Sequence, residues 1–269
     1  MSSSVILTAQ STQSLLDYLA VPLPSLQSHP EQESYVPRTN RACPDDIQRI
    51  VDWPEFSYPA IRRRYDGLLG TTQICPEEIH PLAFRSLRNK AVLDFTVNTL
   101  IADRVRTALE AVFKQHPREL IRKRLVPITM GSGHLASPIK PYEADVAFYE
   151  PHDENDPDTY FLNPNRAPGG LKVSWKWKST WRASQNEMER RFYLLHLSRV
   201  NLYMQLYGSK YGFILTDKEF VAIKRLDNMG NLAVSEPIHW IDGGNDRPSI
   251  ILGLWYLGML AAEKNWRLE

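Results

Sequence analysis

"GGLKVSWKWKS", residues 169–179, decides how the rest of the chain is read. A glycine pair leads into alternation, with Val173, Trp175 and Trp177 on one side and Lys172, Ser174, Lys176 and Lys178 on the other. A period of two sends successive side chains to opposite faces of a β-strand. The stretch is therefore expected to be a strand whose apolar face meets a core. Its other face lines up three ammonium groups with a single serine among them.

Working outward, the neighbouring segments supply partners for such a strand. "ADVAFYE" (144–150) alternates and reads as a strand, and "LVPIT" (125–129) reads as a short one followed by the turn "GSGH". Downstream, residues 184–209 predict a long helix, with Ser184 and Glu187 spaced as a capping box and Gly208 as its stop. "YGFILT" (211–216) and "EFVAIKRL" (219–226) read as a hairpin around Asp217 and Lys218, and "PIHWI" (237–241) as a further strand. Residues 248–266 form a closing helix with Pro248 near its first turn. Upstream, residues 76–115 look helical, opening on Pro76, Glu77 and Glu78 with Pro81 near the start. An apolar stripe at helical spacing follows, through Val92, Leu93, Val97, Leu100, Ile101, Val105, Leu109, Val112 and Phe113, and Pro117 ends or kinks it. "RELIRKRL" (118–125) adds a basic segment. The order helix, three strands, long helix, two strands, helix predicts an α/β fold, a central mixed β-sheet flanked by helices.

Residues 1–45, rich in Ser, Gln and Pro, are expected to be a flexible N-terminal arm, and residues 46–269 a single α/β domain. The 269 residues are 43% apolar and 10% aromatic, enough to fill a sizeable core. A net charge of +1 names no partner by itself, but its distribution is uneven. Residues 140–160 hold seven acids against one lysine, whereas residues 172–225 are rich in Lys and Arg. That asymmetry is compatible with an anionic ligand, and equally with a solvated basic face. Two cysteines without metal-type spacing suggest a reducing compartment. The start "MSSSVILTAQSTQ" lacks the basic region of a signal peptide, and "IILGLWYLGMLAA" (250–262) is short of the ~20 apolar residues that span a bilayer. A cytoplasmic protein with no membrane partner is expected.

Three stretches together resemble the PD-(D/E)XK nuclease-like superfamily over roughly residues 76–266. "IKPYEADVAFYE" looks like its second core strand, with Asp145 at the first metal carboxylate. "LKVSWKWKS" looks like the third, which normally carries an acid, a spacer and a lysine. "SRVNLYMQLYGSKYGFILTDKEFVAIKRL" is similar to the helix–strand–strand segment common in fungal members. The resemblance implies an Mg²⁺ site of two carboxylates beside a lysine. Asp145 fits the first acid and Lys176 the lysine, but Ser174 stands where the second acid belongs, and Arg199 where many relatives place a glutamine. The constellation suits an anion better than Mg²⁺, and Glu143, two residues from Asp145 on the same strand face, is the substitute ligand if a cation is held after all. No cofactor is expected, Mg²⁺ entering only under a nuclease reading.

In size, fold type and degenerate site the chain also resembles the fungal arginine-containing cyclodipeptide synthases. That family takes arginyl-tRNA and a second aminoacyl-tRNA and joins the two amino acids into a diketopiperazine. The expected partner is then aminoacyl-tRNA. Such an enzyme must hold phosphates, meet an arginine side chain with a carboxylate, deprotonate an α-amine and stabilise an oxyanion. The catalytic candidates are Asp145, Glu143, Ser174, Lys176 and Arg199. Lys172, Lys178, Arg182, Arg122, Lys123 and Arg124 are the nucleic-acid-binding candidates. Ser174 is a candidate nucleophile to accept an aminoacyl group, though such a serine is more often just a small residue that fits; the lysines are equally read as a solvated face, and Arg199 as a snorkelling side chain. His196, Arg199 and Tyr203 share one helical face. Trp175 and Trp177 read as core rather than as base-stacking residues. The alternatives are an Mg²⁺-dependent nuclease, with Glu143 or Glu187 as the replacement ligand, and a non-catalytic nucleic-acid-binding protein.

Overall fold

The computed structural model describes residues 11–29, 42–79, 86–136, 139, 142–151, 163–244 and 246–268. Pro81, Lys140, the polar loop at 152–162 and residues 1–10 and 30–41 of the expected arm lie outside the described residues.

The first described segment corrects the expectation of a free arm. Strand β1 (Gln13–Ser14) leads into helix α1 (Leu15–Leu19), capped by Ser14, whose hydroxyl accepts the Asp17 N–H. Leu15, Tyr18 and Leu19 are spaced i, i+3, i+4 and are fully buried. Within the segment rich in Ser, Gln and Pro, "LLDYLAV" (15–21) has the pattern of a helical turn, and the short helix with its complete apolar face lies there. Further along, Pro24 O accepts the Trp240 indole N–H at 2.8 Å and Leu26 O accepts Lys218 Nζ at 3.1 Å, so this segment is sewn to the domain as far as residue 28.

Strand β2 (Arg49–Asp52) and helix α2 (Tyr58–Thr71), with Pro59 in its first turn, occupy a region for which the sequence predicted no element. Strand β3 (Gln73–Ile74) pairs antiparallel with β1. The helical reading from residue 76 is corrected too. Helix α3 (Lys90–Thr96) starts only at the Asn89 cap, which accepts the Val92 N–H, while Glu77 instead accepts the Tyr18 hydroxyl. A π-turn (Val97–Ile101) joins α3 to α4 (Ala102–Gln115); of the predicted stripe Leu93, Val97, Ile101, Val105, Leu109 and Val112 are fully buried, whereas Val92, Leu100 and Phe113 at its margins are only partly buried. Pro117 then opens helix α5 (Pro117–Lys123).

Strands β4 (Thr129–Ser132), β5 (Val146–Tyr149) and β6 (Gly169–Leu171) form an antiparallel meander. Helix α6 (Glu187–Tyr207) carries the chain across to β7 (Tyr211–Leu215), parallel to β6, and β8 (Glu219–Arg225) returns as the expected hairpin. Strand β9 (Asn231–Val234) and the short β10 (Ile238–His239) share the other edge of β8, and β2 joins β9 in parallel. The sheet order is β2-β9-β8-β7-β6-β5-β4 with β10 beside β8. Helix α7 (Ile250–Ala261), buried along its whole length, packs with α4 on one face, and α6 covers the other. The α/β class with a mixed sheet between helices is thus observed. Among the described residues no helix is long and apolar enough to cross a membrane.

The strand expected at 169–179 ends at Leu171. Beyond it the chain turns, with the Lys176 N–H donating to Val173 O at 2.8 Å, and a 3-10 turn follows at Ser179–Ala183. The two tryptophans therefore part company. Trp175 packs beside the α4/α7 core, whereas Trp177 is fully buried with α6 and stacks on Tyr193, ring centroids 5.7 Å apart. The cap of α6 is Asn186 rather than Ser184, whose hydroxyl goes to Glu189 instead; Gly208, at φ +68°, ends the helix as expected.

Gly169 sets how closely β6 approaches β7. A Cβ there would overlap three atoms of the buried Phe213 ring. Overpacking of that kind costs about 1–3 kcal/mol. Gly169→Ala is expected to lower the unfolding midpoint accordingly in a urea titration followed by circular dichroism, and an unchanged midpoint would show that the ring can move aside.

Candidate functional site

The end of the sheet where β5 begins and β6 finishes gathers the charged side chains. Asp145, immediately before β5, is held by its backbone, with its N–H on Gly169 O at 3.0 Å and its own carbonyl on the Gly133 N–H at 3.1 Å. Its Oδ2 accepts the Leu171 N–H at 2.7 Å. Lys90, the first residue of α3, places Nζ 2.7 Å from Oδ1. Lys172, the first residue after β6, places Nζ 3.4 Å from Oδ2 and 3.0 Å from Leu171 O. Lys90 also reaches Asp94, one helical turn along, at 3.2 Å. From α6, Arg199 Nε donates to the Tyr203 hydroxyl at 2.9 Å, and its charge acts on Lys172 and on the buried His196.

The electrostatics follow from this crowding. Burial pushes the Asp145 carboxyl up, but Lys172, Lys90 and the hydrogen bonds outweigh it, and the group stays below the usual carboxylate range. Burial and its cationic neighbours Arg199 and Lys90 bring the Lys172 ammonium below the usual lysine value, against the pull of Asp145. Lys90 moves the other way, since Asp145 and Asp94 together overcome its burial. Asp94 is raised, chiefly by burial and against the pull of Lys90. His196 is pushed down to about 3, first by burial and then by Lys172 and Arg199, so it is neutral near pH 7. The cluster sets three cationic side chains, Lys90, Lys172 and Arg199, against two carboxylates, an excess that attracts an anion.

The register of β6 corrects the sequence assignment of the motif lysine. The lysine beside Asp145 is Lys172, not Lys176, and the position two residues before it is Gly170, not Ser174. A hydrogen atom stands where the second metal-binding acid would be. An Mg²⁺ ion would have to displace Lys90 from Asp145 and sit against Lys172 and Arg199, so this donor set does not fit it. Among the described residues no group of His, Cys, Asp and Glu is arranged to hold a metal.

Several expected site residues stand elsewhere. Ser174 lies in the turn after β6, its N–H donating to Asp217 Oδ1 at 2.7 Å and its hydroxyl to Oδ2 at 2.9 Å. Its proton is committed to a carboxylate outside the Asp145 cluster. Lys176 lies in the same turn, and its backbone bonds to His196. Glu143 is exposed, and its charge acts on Tyr207, whose hydroxyl is pushed up to about 12, mainly by burial. Glu187 is exposed in the first turn of α6, and Lys178 is exposed too. Arg182 is drawn to Asp52 at 2.7 Å. Arg122, Lys123 and Arg124 sit at the opposite end of the sheet. They lead into Val126, whose N–H meets Ala262 O just past α7, near where Arg166 approaches before β6 begins.

Sequence reasoning missed Lys90 and Asp94, and took Lys172 only for a phosphate contact. The signal for the first two was present: a lysine right after an Asn cap, with an acid four residues on, puts a charged pair on the first turn of a helix. It also missed Asp217 and Glu219 as buried anchors of residues 174 and 179, the Ser179 N–H and hydroxyl both reaching Glu219 at 2.6 Å.

No protein-family model, curated protein or solved structure matches the chain.

Proposed function

We propose that the protein is a metal-independent acyl-transfer enzyme of PD-(D/E)XK-like fold. It takes arginine from arginyl-tRNA and a second amino acid from another aminoacyl-tRNA and joins them into a diketopiperazine. One observation carries the reading: Asp145 is bracketed by Lys90 and Lys172, with a glycine where a nuclease needs its second acid. The meander β4–β5–β6, the crossover α6 and the hairpin β7–β8 follow the element order on which the nuclease-like resemblance rests, which supports the finer fold assignment.

The chemistry suits a site rich in cations. An aminoacyl ester is already activated, so neither ATP nor a metal has to enter the transfer. Lys172, whose ammonium gives up its proton to water more readily than an exposed one, acts in its neutral amine form and accepts a proton from the α-ammonium of one aminoacyl group. The freed amine attacks the ester carbonyl of the other. Lys90 and Arg199 favour the oxyanion as it forms. The C–O bond then breaks and the tRNA hydroxyl leaves with a proton. A second attack, by the remaining amine on the remaining ester, closes the ring and frees the second tRNA. Asp145 positions Lys90 rather than binding substrate, because both its oxygens are already taken. The acceptor left for a substrate guanidinium is Asp94, whose Oδ1 is buried without a hydrogen-bond partner.

Purified protein given tRNA, ATP, amino acids and the charging enzymes is expected to yield an arginine-containing diketopiperazine, read by mass spectrometry. Charged tRNA surviving with no new product overturns the proposal. Mg²⁺-dependent nicking of labelled DNA or RNA would replace it by the nuclease alternative. A salt-dependent shift with nucleic acid and no product would leave a binding protein.

A further inference from the structure

Two arginine-rich runs that are far apart in the sequence meet on the surface at the far end of the sheet from Asp145. "RRR" (62–64) lies on α2 and "RKR" (122–124) closes α5. Lys123 Nζ donates to Arg64 O at 3.3 Å and rides over the Tyr65 ring, 5.3 Å from its centroid. Between the two helices lies a hollow of about 390 Å³, lined by Arg63, Arg64, Arg122, Lys123 and His116 together with the acids Asp66 and Glu119. Arg63 and Arg64 also border an adjoining hollow of about 570 Å³ toward Tyr256, so they form a basic ridge between two depressions.

The local acids do not neutralise this surface. Asp66, Glu119 and Glu263 are each matched to one arginine, namely Arg62, Arg122 and Arg64. Among the described residues no salt bridge reaches Arg63, Arg118, Lys123 or Arg124. The whole chain carries only +1, so this excess is a local concentration rather than the general tone of the surface. We propose that the groove between α2 and α5 binds the phosphodiester backbone of a nucleic acid, as a surface separate from the Asp145 cluster.

Two features select that partner over an anionic lipid bilayer. The basic side chains line a concavity, which admits a phosphate ridge but not a flat headgroup plane. The one large apolar side chain exposed on α5 is Ile121, 80% accessible, and a single such residue makes no insertion face. Spaced guanidinium groups on a groove suit the repeated phosphates of a nucleic-acid strand.

The inference goes beyond the acyl-transfer reading and does not depend on it, and the test keeps the two apart. Full-length protein is titrated into fluorescent bulk tRNA without an amino acid attached, and separately into a DNA duplex of similar length, over a range of salt. Each phosphate contact adds about 0.7–0.9 to the slope of log K against log[salt]. R63A/R122A is expected to flatten the slope by roughly 1.4–1.8 and weaken binding about tenfold at low salt. R63K/R122K keeps most of the slope, which a purely structural role would not predict, and circular dichroism confirms folding because both side chains are exposed. Loss on tRNA alone assigns the surface to RNA, and loss on both probes assigns it to the shared backbone. A wild-type slope in R63A/R122A overturns the proposal, as does binding to phosphatidylserine vesicles with none to either nucleic acid.

Discussion

Asp217→Ala is expected to destabilise the protein by about 3–5 kcal/mol, although the residue sits in a hairpin turn where sequence reading sees only a loop acid. Its carboxylate is fully buried and accepts three hydrogen bonds, from the Ser174 N–H, the Ser174 hydroxyl and the Ser28 hydroxyl. It thereby fastens both the turn after β6 and the N-terminal segment to the β7–β8 hairpin. Removing the acceptor leaves each donor short of a partner, at about 1–3 kcal/mol apiece where water cannot replace it. Both serines are half-buried, so some rehydration keeps the total below the sum. The melting temperature should fall by roughly 10 °C for a domain of this size. Ser174→Ala removes one bond and should cost only about 1 kcal/mol. Urea unfolding of both variants settles the matter. A stable Asp217→Ala protein would mean that the turn is held by other contacts, and would reopen Ser174 as a candidate nucleophile.

The same pair of residues explains what the sequence could and could not disclose. The run from Ser198 to Leu226 was legible because its signals are local: 3.6-residue periodicity, a glycine stop at 208, then two β-rich runs around Asp217 and Lys218. The alternation of Lys172 to Lys178 was equally local and misled. The backbone N–H groups of Ser174 and of Ser179 just beyond it are tied across the fold to the carboxylates of Asp217 and Glu219, bonds that join residues about forty positions apart. A tertiary anchor of that kind leaves no periodic trace, and it overrides β-propensity. The site shows the same divide. Asp145 stood out because it opens a strand, whereas its principal partner, Lys90, comes from a helix 55 residues upstream and is recognisable only once β5 and α3 are brought together. The register slip from Lys176 to Lys172 comes from the same cause. The strand expected over residues 169–179 stops at Leu171, so the lysine that meets Asp145 comes four residues earlier than Lys176.

Under the proposed acyl-transfer function, Asp145→Asn should reduce diketopiperazine formation by about 10²–10³-fold, because Lys90 and Lys172 lose the group that sets their positions and protonation. It should also cost stability. The Lys172 side chain is only 13% exposed and Asp145 only 23%, so removing the carboxylate strands an ammonium in a poorly solvated place. Breaking such a pair costs about 3–5 kcal/mol when fully buried; the partial exposure of Lys90 brings the expectation nearer ~2–3 kcal/mol. The acid limb gives the sign. The folded pKa of Asp145 lies below its unfolded value, so its contribution is complete above about pH 4 and is lost as pH falls through the folded value. The wild type should therefore lose stability in acid more steeply than the variant. Adding Lys172→Met to Asp145→Asn removes the stranded charge and should restore much of the stability without restoring the reaction. Lys172→Met also removes the proposed base, so the role of Asp145 in the chemistry is read from Asp145→Asn itself, at a temperature where circular dichroism shows it folded. If the double variant recovered activity together with stability, Asp145 would be a structural counter-ion, and the acyl-transfer site would have to be sought elsewhere on the protein.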